Sequence, residues 1–282
     1  MLVSRMKPYC MAFAQLPEGG RLPTLLVKRA TLAYDVTGEG PNIVQLHGLT
    51  SSRARDASLG LDLSTAAVEH RVIRYDARGH GESTGDTDPR SYSWWHLARD
   101  LLALLDAESP GAPVHGVGQS MGSGTLLHAA LARPEGFASL VLGIPPTAWQ
   151  SRIAQRAFYR TNADTVERHG IEPLLRADRI SARPPAAVDH CVLPPTVSTD
   201  LLPTVFRGAA LADLPSAAEL ATIDIRTLIL AWVDDPAHPL STAYWLHEVL
   251  PDSQLVVAKT PEDVLAWSHL VAEHLLPKGE TL

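Results

Sequence analysis

Short apolar runs recur along the chain at spacings that fit a parallel sheet. Asn42–Leu46, Arg71–Tyr75, Val114–Gly118, Leu140–Ile144, Thr227–Trp232 and Gln254–Ala258 are continuous rather than alternating, which predicts strands buried on both faces. Ahead of them, Thr24–Lys28 and Thr31–Val36 read as two short strands parted by a basic pair, and Thr37-Gly38-Glu39-Gly40-Pro41 as a turn. Between the runs a helical period takes over. Trp94–Ala107 places Leu97, Leu101, Leu104 and Leu105 on one face behind a candidate N-cap, Ser93. Ser120–Ala132 is rich in Ala and Leu and stops before Pro134, and Ser241–Leu250 ends at Pro251. Thr260–Leu276 opens on Thr260-Pro261-Glu262-Asp263, a capping box with proline at the first helical position. This alternation predicts a doubly wound, mostly parallel α/β sheet with right-handed crossovers.

From Pro145 to about Ala221 the rhythm stops. The segment has helical fragments at Trp149–Thr161 and Asp164–Arg168 and clustered prolines (Pro184-Pro185, Pro194-Pro195, Pro203), but no convincing strand. A structureless loop of that length is unusual inside a compact domain, so the segment reads as an inserted, mostly helical cap. The expected organisation is a core of residues 1–144 and 222–282 with a cap at 145–221.

Composition narrows the class. With 282 residues, 45 % of them apolar, the chain can build a large core without disulfide or metal staples and does not read as disordered. Lys and Arg number 24 against 31 Asp and Glu, a net charge of −7 with no basic run, which is a poor electrostatic match to nucleic acid. Cys10 and Cys191 stand far apart and in no ligand spacing, so reduced thiols in a cytoplasmic protein are expected rather than a disulfide framework. The apolar run Cys10–Ala14 is short for a signal segment, and no stretch approaches the ~20 apolar residues of a membrane span. No His/Cys/Asp cluster has metal-ligand spacing, so no metal or organic cofactor is expected. The expected partner is a small-molecule substrate; no pattern fixes an oligomeric state.

The strongest chemical signal is Gly118-Gln119-Ser120-Met121-Gly122, between a buried strand and a helix. A Gly-x-Ser-x-Gly turn in that setting is a nucleophile elbow: the glycines remove the Cβ atoms that a tight turn cannot hold, and the serine hydroxyl is pushed out at the top of the sheet. The Met121 amide then lies at a helix N-terminus, facing the place where an oxyanion would form. His47-Gly48-Leu49 follows another buried strand, and the Leu49 amide is a candidate second oxyanion donor, with His47 hydrogen-bonded within the loop. Asp76-Ala77-Arg78-Gly79-His80-Gly81-Glu82-Ser83 reads as a structural network of charges ordering a turn.

Together these residues resemble the α/β-hydrolase family in its serine-nucleophile, esterase- and lipase-like branch. His47-Gly48, Asp76-x-Arg78-Gly79-His80-Gly81-x-Ser83, Gly118-x-Ser120-x-Gly122 and Asp235-Pro236-x-x-Pro239 occur in the family's order, across residues from about 30 to 276. The resemblance implies a nucleophile at Ser120, oxyanion donors at Leu49 and Met121, and an acid at Asp235, for which Asp234 is the adjacent alternative. Epoxide hydrolases and dehalogenases would place Asp at the elbow, where this chain has Ser120.

In one respect the chain departs from the family, which carries its catalytic base in the loop after the last strand. Here Gln254–Ala258 is followed by Lys259, and Thr260 already caps the helix. Within that helix, Val264, Trp267, Val271 and Leu275 form an apolar stripe expected to face the sheet. His269 falls ~140° from Val264, and His274 is placed on the flank, so both are expected to be solvated. His238, three residues after Asp235 and on a loop at the same end of the sheet as Ser120, is the candidate base; triads are defined by geometry rather than by sequence position. The function expected is serine hydrolysis of an ester, thioester or lactone of a small-to-medium apolar substrate. In the cap, Trp149, Phe158, Tyr159 and Phe206 either line an apolar pocket or pack the cap. Two other functions remain open at this stage: a non-catalytic or weakly catalytic small-molecule-binding homologue that has lost its base, and an accessory hydrolase acting on a carrier-bound or cyclic substrate.

Overall fold

Six parallel strands carry the centre of the molecule: β3 (Asn42–Leu46), β4 (Arg71–Tyr75), β5 (Val114–Gln119), β6 (Phe137–Gly143), β7 (Thr227–Trp232) and β8 (Ser253–Ala258). An antiparallel pair, β1 (Thr24–Val27) and β2 (Ala30–Thr37), completes one eight-stranded sheet in the order β1-β2-β4-β3-β5-β6-β7-β8. The structure, a computed structural model, describes residues 22–66, 69–187 and 193–277. Cys10, Cys191 and the run Cys10–Ala14 therefore lie outside the described residues.

The continuous apolar runs are explained by the two faces of the sheet. On β6, Leu140 and Leu142 pack to one side and Val141 to the other; on β7, Ile229 and Ala231 oppose Leu228, Leu230 and Trp232. The first face is covered by α2 (Trp94–Glu108), α3 (Met121–Ala132) and α8 (Leu240–Val249), the second by α9 (Pro261–Leu265) and α10 (Trp267–Leu275). The short helix α1 (Arg53–Ser58), N-capped by Ser52, was not expected from the apolar pattern, being only six residues long and lacking an apolar stripe. Ser93 sits at the start of α2 as expected, but its hydroxyl bonds the Arg90 carbonyl and the His96 ring instead of capping the helix.

Between β6 and β7 the chain forms a helical insertion. Its first helix, α4, runs unbroken over Trp149–His169 where two fragments were expected; the polar stretch after Thr161 contains no helix breaker, and the helix ends at Gly170, φ 72°. The helices α5 (Glu172–Ile180) and α6 (Leu202–Leu211) each carry a proline in the first turn, where its missing N–H costs nothing. Pro203 thus starts a helix. A last short helix, α7 (Ala217–Leu220), leads back to β7. Thr196 fastens the insertion to the core by donating to the Thr50 and Ser51 carbonyls. Tyr159 stacks on buried Phe206 in an apolar cluster with Tyr92, Val166 and Val205, whereas Phe158 faces solvent and Trp149 packs on Trp245. The four aromatic residues do not share one pocket.

The Thr260–Asp263 capping box forms, but the helix breaks at Ala266. The expectation for His274 is corrected: it is 5 % exposed instead of solvated. Counted from Trp267, His274 lies two turns on, within ~20° of the same stripe, so it turns inward with Val271 and Leu275. It joins His70 and His115 around a cavity of about 560 Å³ at the N-terminal ends of the strands, the pole opposite Ser120. His269 is exposed and meets Glu273 at 3.4 Å. No described helix is long and apolar enough to cross a membrane.

The buried histidines make stability depend on pH. Burial lowers His47, His115 and His274 to about 4 and His80 to about 3. In the unfolded chain these rings bind protons near ~6.5. Between those values the unfolded chain takes up protons that the native state refuses, so stability is full above ~6.5 and falls as pH drops toward 4. Asp56, raised to about 7 by burial, and Asp100, also raised by burial, act in the opposite sense, but they are outnumbered, since burial lowers His70, His96 and His128 as well. The melting temperature is therefore expected to be lower at pH 4.5 than at pH 7; equal values would contradict this assignment.

Candidate active site

β5 ends in the elbow. Ser120 has φ 50° and ψ −107°, a conformation that a non-glycine residue holds only when its surroundings enforce it. The enforcement is visible. A Cβ on Gly118 would stand 2.6 Å from the Gly122 backbone, and one on Gly122 would stand 2.7 Å from the Leu46 carbonyl oxygen. Ser123 Oγ lies within hydrogen-bond distance of both the Gly118 and Gly143 carbonyls (2.8 and 3.0 Å), and the Ser120 amide donates to Gly143. The result is a hydroxyl held at the carboxyl end of β5, at the first turn of α3.

Two amides frame it. Among the described residues, neither the Leu49 nor the Met121 N–H has a protein acceptor. Gly48 lies against Ser120, with 3.6 Å from the position of an added Cβ to Ser120 Cβ. His47 fixes this peptide. Its Nε2 accepts from the Ala77 amide at 2.9 Å, which leaves Nδ1–H to donate to the Gly48 carbonyl at 2.7 Å. Since a trans peptide points its C=O and N–H in opposite directions, holding the Gly48 carbonyl also aims the Leu49 N–H. The leucine side chain packs against the apolar cluster of the helical insertion.

The turn after β4 forms a charge network. Asp76 accepts from the Arg53 and Glu82 amides and from Arg53 Nε, and Arg78 clamps Asp100 through two nitrogens while reaching Asp86. These residues order the loop beneath His47.

The loop after β7 brings the remaining groups together. Asp234 is exposed with φ 59°, whereas the Asp235 side chain turns inward. Asp235 Oδ1 accepts from the Ala237 amide at 2.9 Å, and the His238 amide donates to the Asp235 carbonyl, closing a turn around Pro236. That turn folds the imidazole back over the carboxylate. His238 Nδ1 lies 2.8 Å from Asp235 Oδ2, and Nε2 lies 2.8 Å from Ser120 Oγ. An ionised carboxylate only accepts, so Nδ1 carries the proton and Nε2 faces the hydroxyl as acceptor. Burial pushes Asp235 upward, but hydrogen bonds from His238, Trp232 and Ala237 and the attraction of the imidazole outweigh it and hold the carboxyl at about 2.

Trp232, the last residue of β7, was not singled out from the sequence. Its Nε1 donates to Asp235 Oδ2 at 2.8 Å, and its ring stacks on the buried ring of Trp267 at 5.9 Å. The available signal was its place three residues ahead of Asp235 at the end of a strand. After β8, Lys259 alone precedes the Thr260 cap, and the Lys259 and Thr260 amides both bind the Asp263 carboxylate. No group of three His, Cys, Asp or Glu among the described residues is placed to hold a metal ion.

The chain is similar to known proteins. The alpha/beta hydrolase fold family matches residues 41–162. The chain is 31 % identical over 230 residues to the putative carbamate hydrolase RutD of Pseudomonas savastanoi pv. phaseolicola, covering 78 % of this chain and 85 % of that protein. It is 31 % identical over 131 residues to the mitochondrial palmitoyl-protein thioesterase ABHD10 of Rattus norvegicus, covering 46 % of this chain and 40 % of that protein. The chain thus spans two fifths of the length of that relative. Among solved structures, a hydrolase from Pseudomonas aeruginosa superposes with a TM-score of 0.77 at 24 % identity, over 92 % of this chain and 99 % of that one. The enol-lactonase of Burkholderia xenovorans gives 0.70 at 22 % identity, over 90 % and 99 %. These two likenesses concern the fold.

Proposed function

The chain belongs to the alpha/beta hydrolase fold family, and from that premise we propose that it is a serine hydrolase whose general base, His238, sits on the same loop as its acid, Asp235. The observation that carries this reading is the continuous path Asp235 Oδ2, His238 Nδ1, His238 Nε2, Ser120 Oγ, each contact at 2.8 Å. In the first step His238 Nε2 takes the hydroxyl proton as Ser120 Oγ attacks the substrate carbonyl carbon. The Leu49 and Met121 amides receive the resulting oxyanion, and ionised Asp235 stabilises the imidazolium. Collapse of the tetrahedral adduct expels the alcohol, thiol or enol leaving group, which takes the proton from Nε2. Water, activated by the same nitrogen, then releases the acid and frees Ser120.

The bond class we assign is an ester, thioester or lactone of a small-to-medium apolar substrate. It is supported by the elbow serine and by the apolar cluster of residues 145–221, taken here as a cap, which reaches Leu49. The named activities of the thioesterase and carbamate hydrolase relatives, both carbonyl hydrolyses, agree with it. We place the enzyme in the cytoplasm on the strength of its two cysteines in 282 residues.

Trp232 keeps the second lone pair of Asp235 Oδ2 occupied. Trp232→Phe keeps an aromatic ring against Trp267 and removes the N–H together with part of the indole's volume. It is expected to lower kcat by ~10-fold with KM nearly unchanged, the cost of a less firmly oriented acid; an unchanged kcat would show that the indole only packs. The whole reading is tested with a fluorophosphonate probe and p-nitrophenyl butyrate. Covalent labelling mapped to Ser120 together with ester turnover supports it. Absence of labelling and turnover, in a folded protein that still binds apolar esters, would favour the non-catalytic homologue.

A further inference from the structure

Resting on the reading above, the site has an unusual mechanical requirement. The acid and base share one short loop, while the nucleophile stands on β5. Any shift of that loop moves His238 and Asp235 together, away from Ser120. The attachments of the loop therefore set the reacting distance. Its entry is tied by the Val233 amide to the Ala258 carbonyl at 3.2 Å. Its base end is tied by the Thr147 amide to the Ala237 carbonyl at 3.1 Å, one residue before His238.

Thr147 lies on the strand-to-helix passage that leaves β6 for the helical insertion. Residues 144–148 of this passage are all buried. The passage is bounded by two non-glycine residues at positive φ, Ile144 at 39° and Trp149 at 47°. A β-branched residue in that region is strained, so the passage holds its path only because its surroundings impose it. Arg152, on the first turn of α4, supplies much of that constraint. Its side chain is wholly buried. Nη1 donates to Thr147 Oγ1 at 3.1 Å and reaches the Thr147 carbonyl at 3.5 Å, while Nε and Nη2 donate to the Ala212 and Ala209 carbonyls at 3.1 and 2.9 Å. The guanidinium also lies over the rings of Trp94, at 4.3 Å, and Tyr159, at 5.3 Å. Asp213 is bound instead by Arg156 and the Trp149 amide.

A buried cation held by carbonyls and ring faces is costly to place, and here it ties Thr147 to the Ala209 and Ala212 carbonyls. We infer that Arg152 is a positioning residue that presses the Thr147 strut against the Ala237 carbonyl, so that docking of the cap sets the distance between His238 and Ser120. The cap then acts on the chemistry through its root, in addition to any contact its outer helices make with substrate.

Thr147→Val, Arg152→Lys and Arg152→Met separate positioning from packing. For each variant, kcat and KM for p-nitrophenyl butyrate are measured per active site, with sites counted by the endpoint of fluorophosphonate labelling. Positioning predicts a fall in kcat per site of ~10-fold for Thr147→Val and ~10²-fold for Arg152→Met, with KM within ~2-fold and Arg152→Lys intermediate, the scale expected for misplacing a catalytic group by ~1 Å. If Arg152→Met does not fold, Thr147→Val and Arg152→Lys carry the test. Normal kcat per site in those two variants, with only the melting temperature lowered, overturns the inference and leaves the proposed reaction standing. Unsubstituted protein that shows no labelling at Ser120 overturns both.

Discussion

Replacing His238 with alanine is expected to lower kcat/KM for p-nitrophenyl butyrate by ~10⁴–10⁶-fold, the scale on which serine hydrolases lose rate when the base is removed. The size follows from the lack of a substitute among the described residues. His80 is buried against His47, bonds the Arg78 carbonyl and is lowered to about 3. In His47 both nitrogens are taken, one by the Ala77 amide and one by the Gly48 carbonyl. Burial further lowers it to about 4, which makes it a poor proton acceptor. His274 lines the cavity at the opposite pole, and His269 faces solvent beside Glu273. The substitution should leave the fold intact, because the His238 side chain is partly exposed and its loop keeps the Asp235–Ala237 turn. Steady-state kinetics paired with a thermal melt checks both halves; a variant that keeps activity within ~10-fold would return the search for the base to its start.

Ser120→Ala is expected to have an effect of the same order, and the double variant Ser120→Ala/His238→Ala to be no worse than either single one. Groups that act as one unit lose their function together, so their energies do not add. An additive double variant would mean that the two side chains serve separate steps. Ser120→Gly separates activity from stability at the same position. It too should be inactive, yet it should melt above Ser120→Ala, because glycine relieves the cost of φ 50° at the elbow.

Much of this site was legible in the sequence because its chemistry depends on backbone geometry, and backbone geometry depends on residue type. Gly118 and Gly122 could be read as steric requirements, and the structure gives the clashes a Cβ would cause. The proximity of His238 to Asp235 could be read from spacing once the connection after β8 proved too short for a base. The choice between Asp234 and Asp235 could not, since one backbone turn decides which carboxylate faces inward. Trp232 was hidden because a tryptophan ending a buried strand looks like core, and only the direction of its N–H reveals the contact with Asp235. Arg152 was hidden for the opposite reason. An arginine in a polar helix reads as solvated, and its complete burial depends on carbonyls contributed by residues more than fifty positions away. The fold was more legible than its boundaries. Continuous apolar runs marked the strands, but His274 follows Trp267, which lies two turns back and within ~20° of it, into the interior instead of staying on the flank.

The central claim is that a histidine on the acid's own loop activates Ser120. Its most direct test is the second-order rate constant for fluorophosphonate labelling of Ser120 in unsubstituted protein and in His238→Gly, with and without added imidazole. The account predicts rapid labelling of the unsubstituted protein, a ~10³-fold slower reaction in the variant, and partial recovery when free imidazole occupies the vacated space. Labelling of His238→Gly at the unsubstituted rate, indifferent to imidazole, would contradict it.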